Sequence, residues 1–330
     1  TVLAWKKRGI MKVFMTSKIH PQGMELFSQA AIEVEAWDRE KNGPITREMM
    51  IEKTKKVDGL VTLLADQIDA AFLTECKHLK IISNYAVGYN NIDCVKAKEL
   101  GIIVTNTPDV LTEATAEGTV ALILATIRNF RAAQHLIDQG KWKRFESMLL
   151  LGTELKGKTL GMVGLGRIGA RVAEICELGF GMKVIYQNRA GKSPYARPSF
   201  TPMPFEQLVK EADIISVLCP LNNESRNLFN EKTFKMMKKS AYFVNSARGE
   251  IHNEKDLFEA LRDGTIAGAG LDVYNPEPIQ MDSPLFTLPN IYLTPHIGSA
   301  THEARSAMTR MVAENIVRVF NNQEAITKVN

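Results

Sequence analysis

Thr159-Leu160-Gly161-Met162-Val163-Gly164-Leu165-Gly166-Arg167-Ile168-Gly169 decides the fold. A short apolar run enters a G-x-G-x-x-G turn, and a helical pattern, Ala170 to Leu178, leaves it. After Gly179 and Gly181 a second apolar run follows, Lys183 to Tyr186. The order is strand, glycine turn, helix, strand. Gly164 permits the tight turn, Gly166 lets backbone approach a pyrophosphate, and Gly169 lets helix pack on strand. The helix N-terminus then offers N–H groups and partial positive charge to a phosphate. The whole segment, with Leu165, Arg167 and Ile168 between the glycines, is a candidate dinucleotide cradle. Its plainer reading is a glycine-rich turn, which does not require these flanks.

Just before it, Gly152-Thr153-Glu154-Leu155-Lys156-Gly157-Lys158-Thr159 fits the phosphate-loop pattern GxxxxGK[ST]. That loop needs a helix to start at its Lys-Thr. Here the next residues are the strand that enters the glycine turn, so the match reads as a surface turn. Beyond the turn, a carboxylate about 20 positions on would bond the adenine ribose and select NAD. Nineteen positions beyond Gly169 stands Asn188, followed by Arg189 and Lys192. A neutral amide beside two cations suits a 2′-phosphate, so NADP is expected over NAD, with a solvated basic loop as the plainer reading.

The same alternation extends both ways. Upstream, strands are expected at Lys12–Thr16, Ile32–Trp37, Leu60–Leu64, Lys80–Ser83 and Ile102–Thr105, with helices at Pro21–Ala31, Thr46–Lys56, Ile68–Cys76 and Asn91–Leu100. Long helical stretches follow at Leu111–Asn129 and Arg131–Lys143. Downstream, strands are expected at 214–218, 241–245, 268–273 and 291–294, helices at 205–211, 231–238 and 255–263, and a last amphipathic helix at 300–320. Repeated strand–helix alternation implies parallel sheets covered on both faces. With 330 residues, two domains are the default. The fold class is thus α/β, with two doubly wound parallel-sheet domains. Residues 11–106 with 298–330 form the expected first domain, residues 107–297 the second, and residues 1–10 an N-terminal extension before Met11.

Composition excludes several classes. Lys+Arg 41 against Asp+Glu 37 gives +4, and Lys6, Lys7 and Arg8 supply three of those charges. No basic stripe suggests nucleic acid or a membrane surface. Cys76, Cys94, Cys176 and Cys219 form no C-x-x-C pair, so buried reduced thiols in a cytoplasmic protein are expected. His296 and His302 lack ligand spacing, and no metal is expected.

Three polar residues follow three successive apolar strands: Arg248 in Ser246-Ala247-Arg248-Gly249, Glu277 in Asn275-Pro276-Glu277-Pro278, and His296 in Pro295-His296-Ile297-Gly298. In open parallel sheets ligands bind beyond the carboxyl ends of strands. An Arg, a Glu and a His would then converge on one site. Singly, each reads as a surface arginine, a loop glutamate or a capping histidine.

At this point the sequence resembles the D-isomer-specific 2-hydroxyacid dehydrogenases, over nearly its whole length from Met11. The resemblance rests on Asn84-Tyr85-Ala86-Val87-Gly88-Tyr89-Asn90-Asn91-Ile92-Asp93, the glycine turn, Cys219-Pro220-Leu221, Asn245-Ser246-Ala247-Arg248-Gly249, Gly270-Leu271-Asp272-Val273 and Pro295-His296-Ile297-Gly298-Ser299. Tyr85 to Tyr89 and Asn188-Arg189 are similar to the glyoxylate/hydroxypyruvate reductase branch. The resemblance implies a flavodoxin-like substrate domain, a Rossmann cofactor domain and a homodimer. It implies catalysis by Arg248, Glu277 and His296, with Val87 and Gly88 offering N–H groups to a substrate carboxylate. Asp272 would meet the nicotinamide amide and Cys219-Pro220 the adenine side, with further cofactor contacts at Ala247, His296 and Gly298. Asn275-Pro276 departs slightly from the family's usual pair.

The activity so implied is reduction of a small 2-oxo acid by NADPH to a D-2-hydroxy acid, with His296 donating the proton, Glu277 holding its ring and Arg248 pairing with the carboxylate. Leu63, Val87 and Trp142 are candidates for lining a small pocket, and the helix Ala116–Ile127 for a dimer surface. Two other readings remain: a non-enzymatic NAD(P)-sensing co-repressor on the same fold, and phosphoglycerate dehydrogenase, which usually brings an added regulatory domain.

Overall fold

In a computed structural model of the protein, residues 10–189 and 191–330 are described. The expected N-terminal extension lies, but for Ile10, outside them. The chain forms two units, one of the described residues up to Leu111 with Ala300–Asn330, the other Thr112–Ser299.

In the first unit the elements run β1 (Lys12–Met15), α1 (Glu25–Gln29), β2 (Glu33–Ala36), α2 (Arg39–Asn42), α3 (Arg47–Thr54), β3 (Gly59–Thr62), α4 (Ala70–Glu75), β4 (Ile81–Asn84), α5 (Cys94–Glu99) and β5 (Ile103–Thr105). They make a five-stranded sheet ordered β2-β1-β3-β4-β5, parallel throughout. β3 and β4 are buried along their whole length, as expected of strands covered on both faces. Phe14, Leu60, Ile82 and Val104 from the strands pack with Ile68, Phe72 and Leu73 from the α4 region. Asp69 and Asp93 cap α4 and α5 by accepting from the N–H groups of Phe72 and Lys96, each at 2.9 Å. Such caps contribute about 1 kcal/mol each.

The second unit runs α6 (Thr112–Ile127), α7 (Phe130–Asp138), β6 (Thr159–Val163), α8 (Arg167–Phe180), β7 (Lys183–Gln187), β8 (Thr201–Pro202), α9 (Phe205–Glu211), β9 (Ile214–Val217), α10 (Glu231–Met236), β10 (Tyr242–Asn245), α11 (Glu254–Arg262), β11 (Gly268–Leu271) and β12 (Ile291–Leu293). Its seven strands are ordered β12-β11-β10-β9-β6-β7-β8, all parallel. Strand order reverses between β6 and β9, so the glycine turn after β6 lies at the switch point where such sheets bind ligands. The final helix, α12 (His302–Phe320), packs on α1 and β4 of the first unit.

Several expectations need correction. α8 begins at Arg167 rather than Ala170, because the turn closes straight into the helix. The second long helix ends at Asp138, five residues short, so Trp142 lies outside it and is 55% exposed. The proposed dimer surface, Ala116–Ile127, is mostly buried in its own unit: α6 packs on α8 and β11. A helix that is apolar except along one narrow stripe, here Glu113 and Glu117, belongs inside. Instead the exposed apolar side chains gather on 130–151, including Phe130, Trp142, Phe145, Met148 and Leu151. Cys94 and Cys219 are only partly buried, unlike Cys76 and Cys176. Burial raises the Cys219 thiol to about 11, which leaves it inert.

Candidate active site

The glycine turn is shaped by contact. Gly164 has φ +94°, and a side-chain carbon there would lie 2.5 Å from the backbone nitrogen of Cys219. One on Gly169 would lie 2.3 Å from the carbonyl oxygen of Gly164. Gly166 is different. It is the N-cap of α8, no side chain caps it, and a carbon added there meets nothing within 4 Å. The N-terminus of a four-turn helix thus lacks a side-chain cap and has room at Gly166, an arrangement that takes a phosphate. This cradle fits a dinucleotide. Leu165 is wholly buried, so only its backbone serves the turn, and Ile168 packs against the core. Arg167 is exposed, its guanidinium 5.6 Å from the Tyr195 ring centroid.

The end of β7 carries the half-buried Asn188, then Arg189. Arg189 is exposed and lies 3.8 Å from Glu224, which extends from the loop after Cys219-Pro220. Lys192 is also exposed. The loop is anchored by the buried Ser193, whose hydroxyl donates to the Leu165 carbonyl at 2.5 Å. Cys219, just beyond β9, packs against Gly164 of the glycine turn.

The three polar strand ends meet in the second unit. Glu277 Oε1 lies 2.5 Å from His296 Nδ1. An ionised carboxylate only accepts, so Nδ1 bears the hydrogen and Nε2 is left to hold or release a proton. Arg248 is partly buried; burial lowers its pKa, and the nearby charges of Glu277 and Glu250 oppose that. The residue after it, Gly249, is pressed against the Glu277 loop: a side-chain carbon would sit 2.0 Å from the Tyr274 carbonyl. The Asn275–Pro276 and Glu277–Pro278 peptides in that loop are cis.

His296 has φ +54°, a conformation L residues rarely adopt. Asp272 holds it there. Its Oδ1 accepts from Ile297 N–H at 2.8 Å and the Thr294 hydroxyl at 2.7 Å, and its Oδ2 accepts from Gly298 N–H at 2.8 Å. Asp272 is thus engaged in clamping the histidine turn, and the Gly298 N–H is spent on it. Tyr274 ties the two loops, donating to the Thr294 carbonyl at 2.8 Å, while Glu254 accepts from Asn275 N–H at 2.8 Å. Burial raises the Glu254 carboxyl above its ordinary range. Asn245, ending β10, accepts from Ala247 N–H at 2.9 Å and donates to the Arg248 carbonyl at 2.8 Å. Sequence reading missed Asn245, Glu254, Tyr274, Thr294, Ser193 and Glu224. Only Asn245 left a signal, a polar residue closing an apolar strand.

Val87 and Gly88 lie in the first unit, in the loop after β4. Asn106 and Asn84 amides donate to their carbonyls, each at 2.8 Å. Their own N–H groups find no partner among the described residues. Leu63 is half-buried in the same unit.

Residues 120–298 match the family D-isomer specific 2-hydroxyacid dehydrogenase, NAD binding domain. Over 324 residues the chain is 42% identical to a glyoxylate reductase of Thermococcus onnurineus, covering 97% of this chain and 96% of that protein. A glyoxylate reductase of Pyrococcus furiosus is 44% identical, with 97% and 95% covered. Among solved structures, a Thermus thermophilus protein aligns with TM-score 0.90 at 39% identity, covering 97% of this chain and all of that one. An NADPH-dependent glyoxylate/hydroxypyruvate reductase from Sinorhizobium meliloti, in complex with NADP and malonate, aligns with TM-score 0.83 at 32% identity over 97% of each chain. By sequence and by fold, then, the chain belongs to the D-isomer specific 2-hydroxyacid dehydrogenase family, on the branch of its glyoxylate reductases.

Proposed function

We propose that this NAD(P)-dependent dehydrogenase reduces glyoxylate and hydroxypyruvate to D-2-hydroxy acids, with NADPH preferred. The observation that carries the reading is the His296–Glu277 pair at 2.5 Å beside Arg248, on the same unit as the open cradle at Gly166. A nicotinamide cofactor, when bound, would supply a hydride to C2 of the substrate. Negative charge then grows on the carbonyl oxygen, and protonated His296 neutralises it from Nε2, while Glu277 fixes the ring and stabilises its cation. Arg248 pairs with the carboxylate through its fork of donors and polarises the carbonyl. The N–H groups of Val87 and Gly88, unpartnered among the described residues, suit a substrate carboxylate, which supports reading the five-stranded unit as the substrate unit, and the glycine cradle supports reading the seven-stranded unit as the cofactor unit. Arg189 and Lys192 favour the 2′-phosphate. The apolar side chains on 130–151 suit a second copy of the chain, giving a homodimer.

The test is turnover of glyoxylate and hydroxypyruvate with Arg248→Ala, Glu277→Gln and His296→Ala, followed by NADPH absorbance. Loss of general-acid catalysis should lower kcat about 10²–10⁴-fold in His296→Ala. Full activity in that variant, L-glycerate as product, or a preference for 2-oxoisocaproate would each overturn the reading.

A further inference from the structure

His252 is 1% exposed and lies outside the set that touches substrate or cofactor in the reading above. Its Nδ1 is 3.0 Å from Asn245 Nδ2. The Asn245 amide has a fixed orientation. Its oxygen must face the Ala247 N–H at 2.9 Å, and its nitrogen must face the Arg248 carbonyl at 2.8 Å. The flipped amide would set oxygen against oxygen and N–H against N–H. One amide hydrogen therefore goes to Arg248 and the other points at His252. His252 Nδ1 must accept it, so the ring is neutral with its hydrogen on Nε2. Nε2 itself is buried without a hydrogen-bond partner among the described residues. A core histidine with one orphaned nitrogen costs stability, which a leucine of similar size would not.

The backbone around it is equally fixed. The Ile251 N–H donates to the Arg248 carbonyl at 3.2 Å, and the His252 N–H to the Gly249 carbonyl at 3.1 Å. Phe229 exchanges hydrogen bonds with Ile251 and Asn253, and the Phe243 ring lies 5.7 Å from the imidazole. His252 is thus locked to the core on one side and to Asn245 on the other.

We propose that His252 is a positioning residue for Arg248, acting through the Asn245 amide to fix the turn 245–248 that aims the guanidinium. The proposal rests on the reading of Arg248 as the substrate-carboxylate partner. Removing the acceptor leaves an Asn245 N–H unsatisfied in the core and takes away one of the three hydrogen bonds that hold the amide, so the Arg248 turn loosens.

The test compares His252→Leu, which keeps bulk and loses the acceptor, with His252→Asn, whose side-chain oxygen falls where Nδ1 was. His252→Leu should raise KM for glyoxylate roughly fivefold to tenfold, the worth of one buried hydrogen bond, with KM for NADPH unchanged. His252→Asn should restore KM to within about twofold of the wild type. Added to Arg248→Ala, His252→Leu should have no further effect on KM. Equal behaviour of the two His252 variants, or an undiminished effect in the Arg248→Ala background, overturns the proposal. If Arg248→Ala alone leaves KM unchanged, the reading of Arg248 fails and this proposal with it. If Arg248→Ala raises KM and His252→Leu does not, only the proposal fails. Nitrogen-15 NMR gives an independent check: the imidazole should show Nε2 protonated and Nδ1 bare near neutral pH, and the opposite tautomer refutes it.

Discussion

Asp272→Asn should disable the enzyme while leaving its shape nearly intact. The carboxylate is 4% exposed and takes three hydrogen bonds, from Ile297 N–H, Gly298 N–H and the Thr294 hydroxyl, all within 2.7–2.8 Å. His296 lies between these anchors in a left-handed conformation that costs of order 1 kcal/mol for a residue with a side chain. Asparagine has the same outline but exchanges one oxygen for an NH₂ group. Whichever way the amide turns, that NH₂ faces a donor. One charge-assisted bond worth about 1.5–3 kcal/mol is lost, and the opposed N–H left behind costs about 1–3 kcal/mol more. The combined loss, about 3 kcal/mol or more, exceeds the strain the clamp holds against, so the turn relaxes and the imidazole leaves Glu277. A displacement of 1 Å at a reacting group is worth about 100-fold in rate. We expect kcat with saturating NADPH and glyoxylate to fall by that factor or more. Thr294→Val removes a single neutral donor and should cost only about fivefold. Steady-state kinetics and thermal melts on both variants decide it. If Asp272→Asn keeps kcat within about threefold of the wild type, the clamp is not what aims His296.

Three further outcomes are expected. Glu224→Gln should free Arg189 from its 3.8 Å partner and raise the NADPH-over-NADH ratio of kcat/KM about twofold to fivefold, an effect that fades with salt because both side chains are exposed; an unchanged ratio would show that Arg189 does not serve the 2′-phosphate. Burial alone lowers the His252 imidazole from 6.5 to about 4. Between those values the unfolded chain holds a proton that the folded one refuses, so stability falls as pH drops from about 6.5 to 4, by about 3 kcal/mol in all. Urea titrations at pH 7 and pH 4.5 should show a shallower acid loss in His252→Leu, and identical losses would contradict the burial argument. If the chain dimerises through 130–151 as proposed, Phe145→Glu with Met148→Glu should leave a monomer by light scattering, since both side chains are more than three-quarters exposed; a dimer that persists in this variant removes 130–151 as its surface.

What the sequence makes legible here is whatever topology places. Gly164 and Gly169 can be read because the strand–turn–helix path leaves no room for a side chain. Arg248, Glu277 and His296 can be read because parallel strands bring their carboxyl ends to one side. The burial of α6 is legible too, in a helix whose charged side chains, Glu113 and Glu117, share one narrow exposed stripe, but apolar composition says nothing of which partner covers the rest, so a dimer surface is an equally natural expectation there. The residues that aim the site obey no such rule. Asp272 reaches 25 and 26 positions forward to Ile297 and Gly298, Glu254 reaches 21 to Asn275, and Ser193 reaches 28 back to Leu165. Each contact depends on how one loop closes against another, and no periodicity of 2 or 3.6 encodes that. His252 shows the consequence most sharply. In the sequence it is one more residue between a glycine turn and a helix, Gly249 to Glu254. In the fold it is a neutral acceptor, buried and half-unsatisfied, against the one amide that orients the arginine turn. Strand ends choose which side chains can meet a substrate, and the loop-to-loop hydrogen bonds behind them determine where those side chains point.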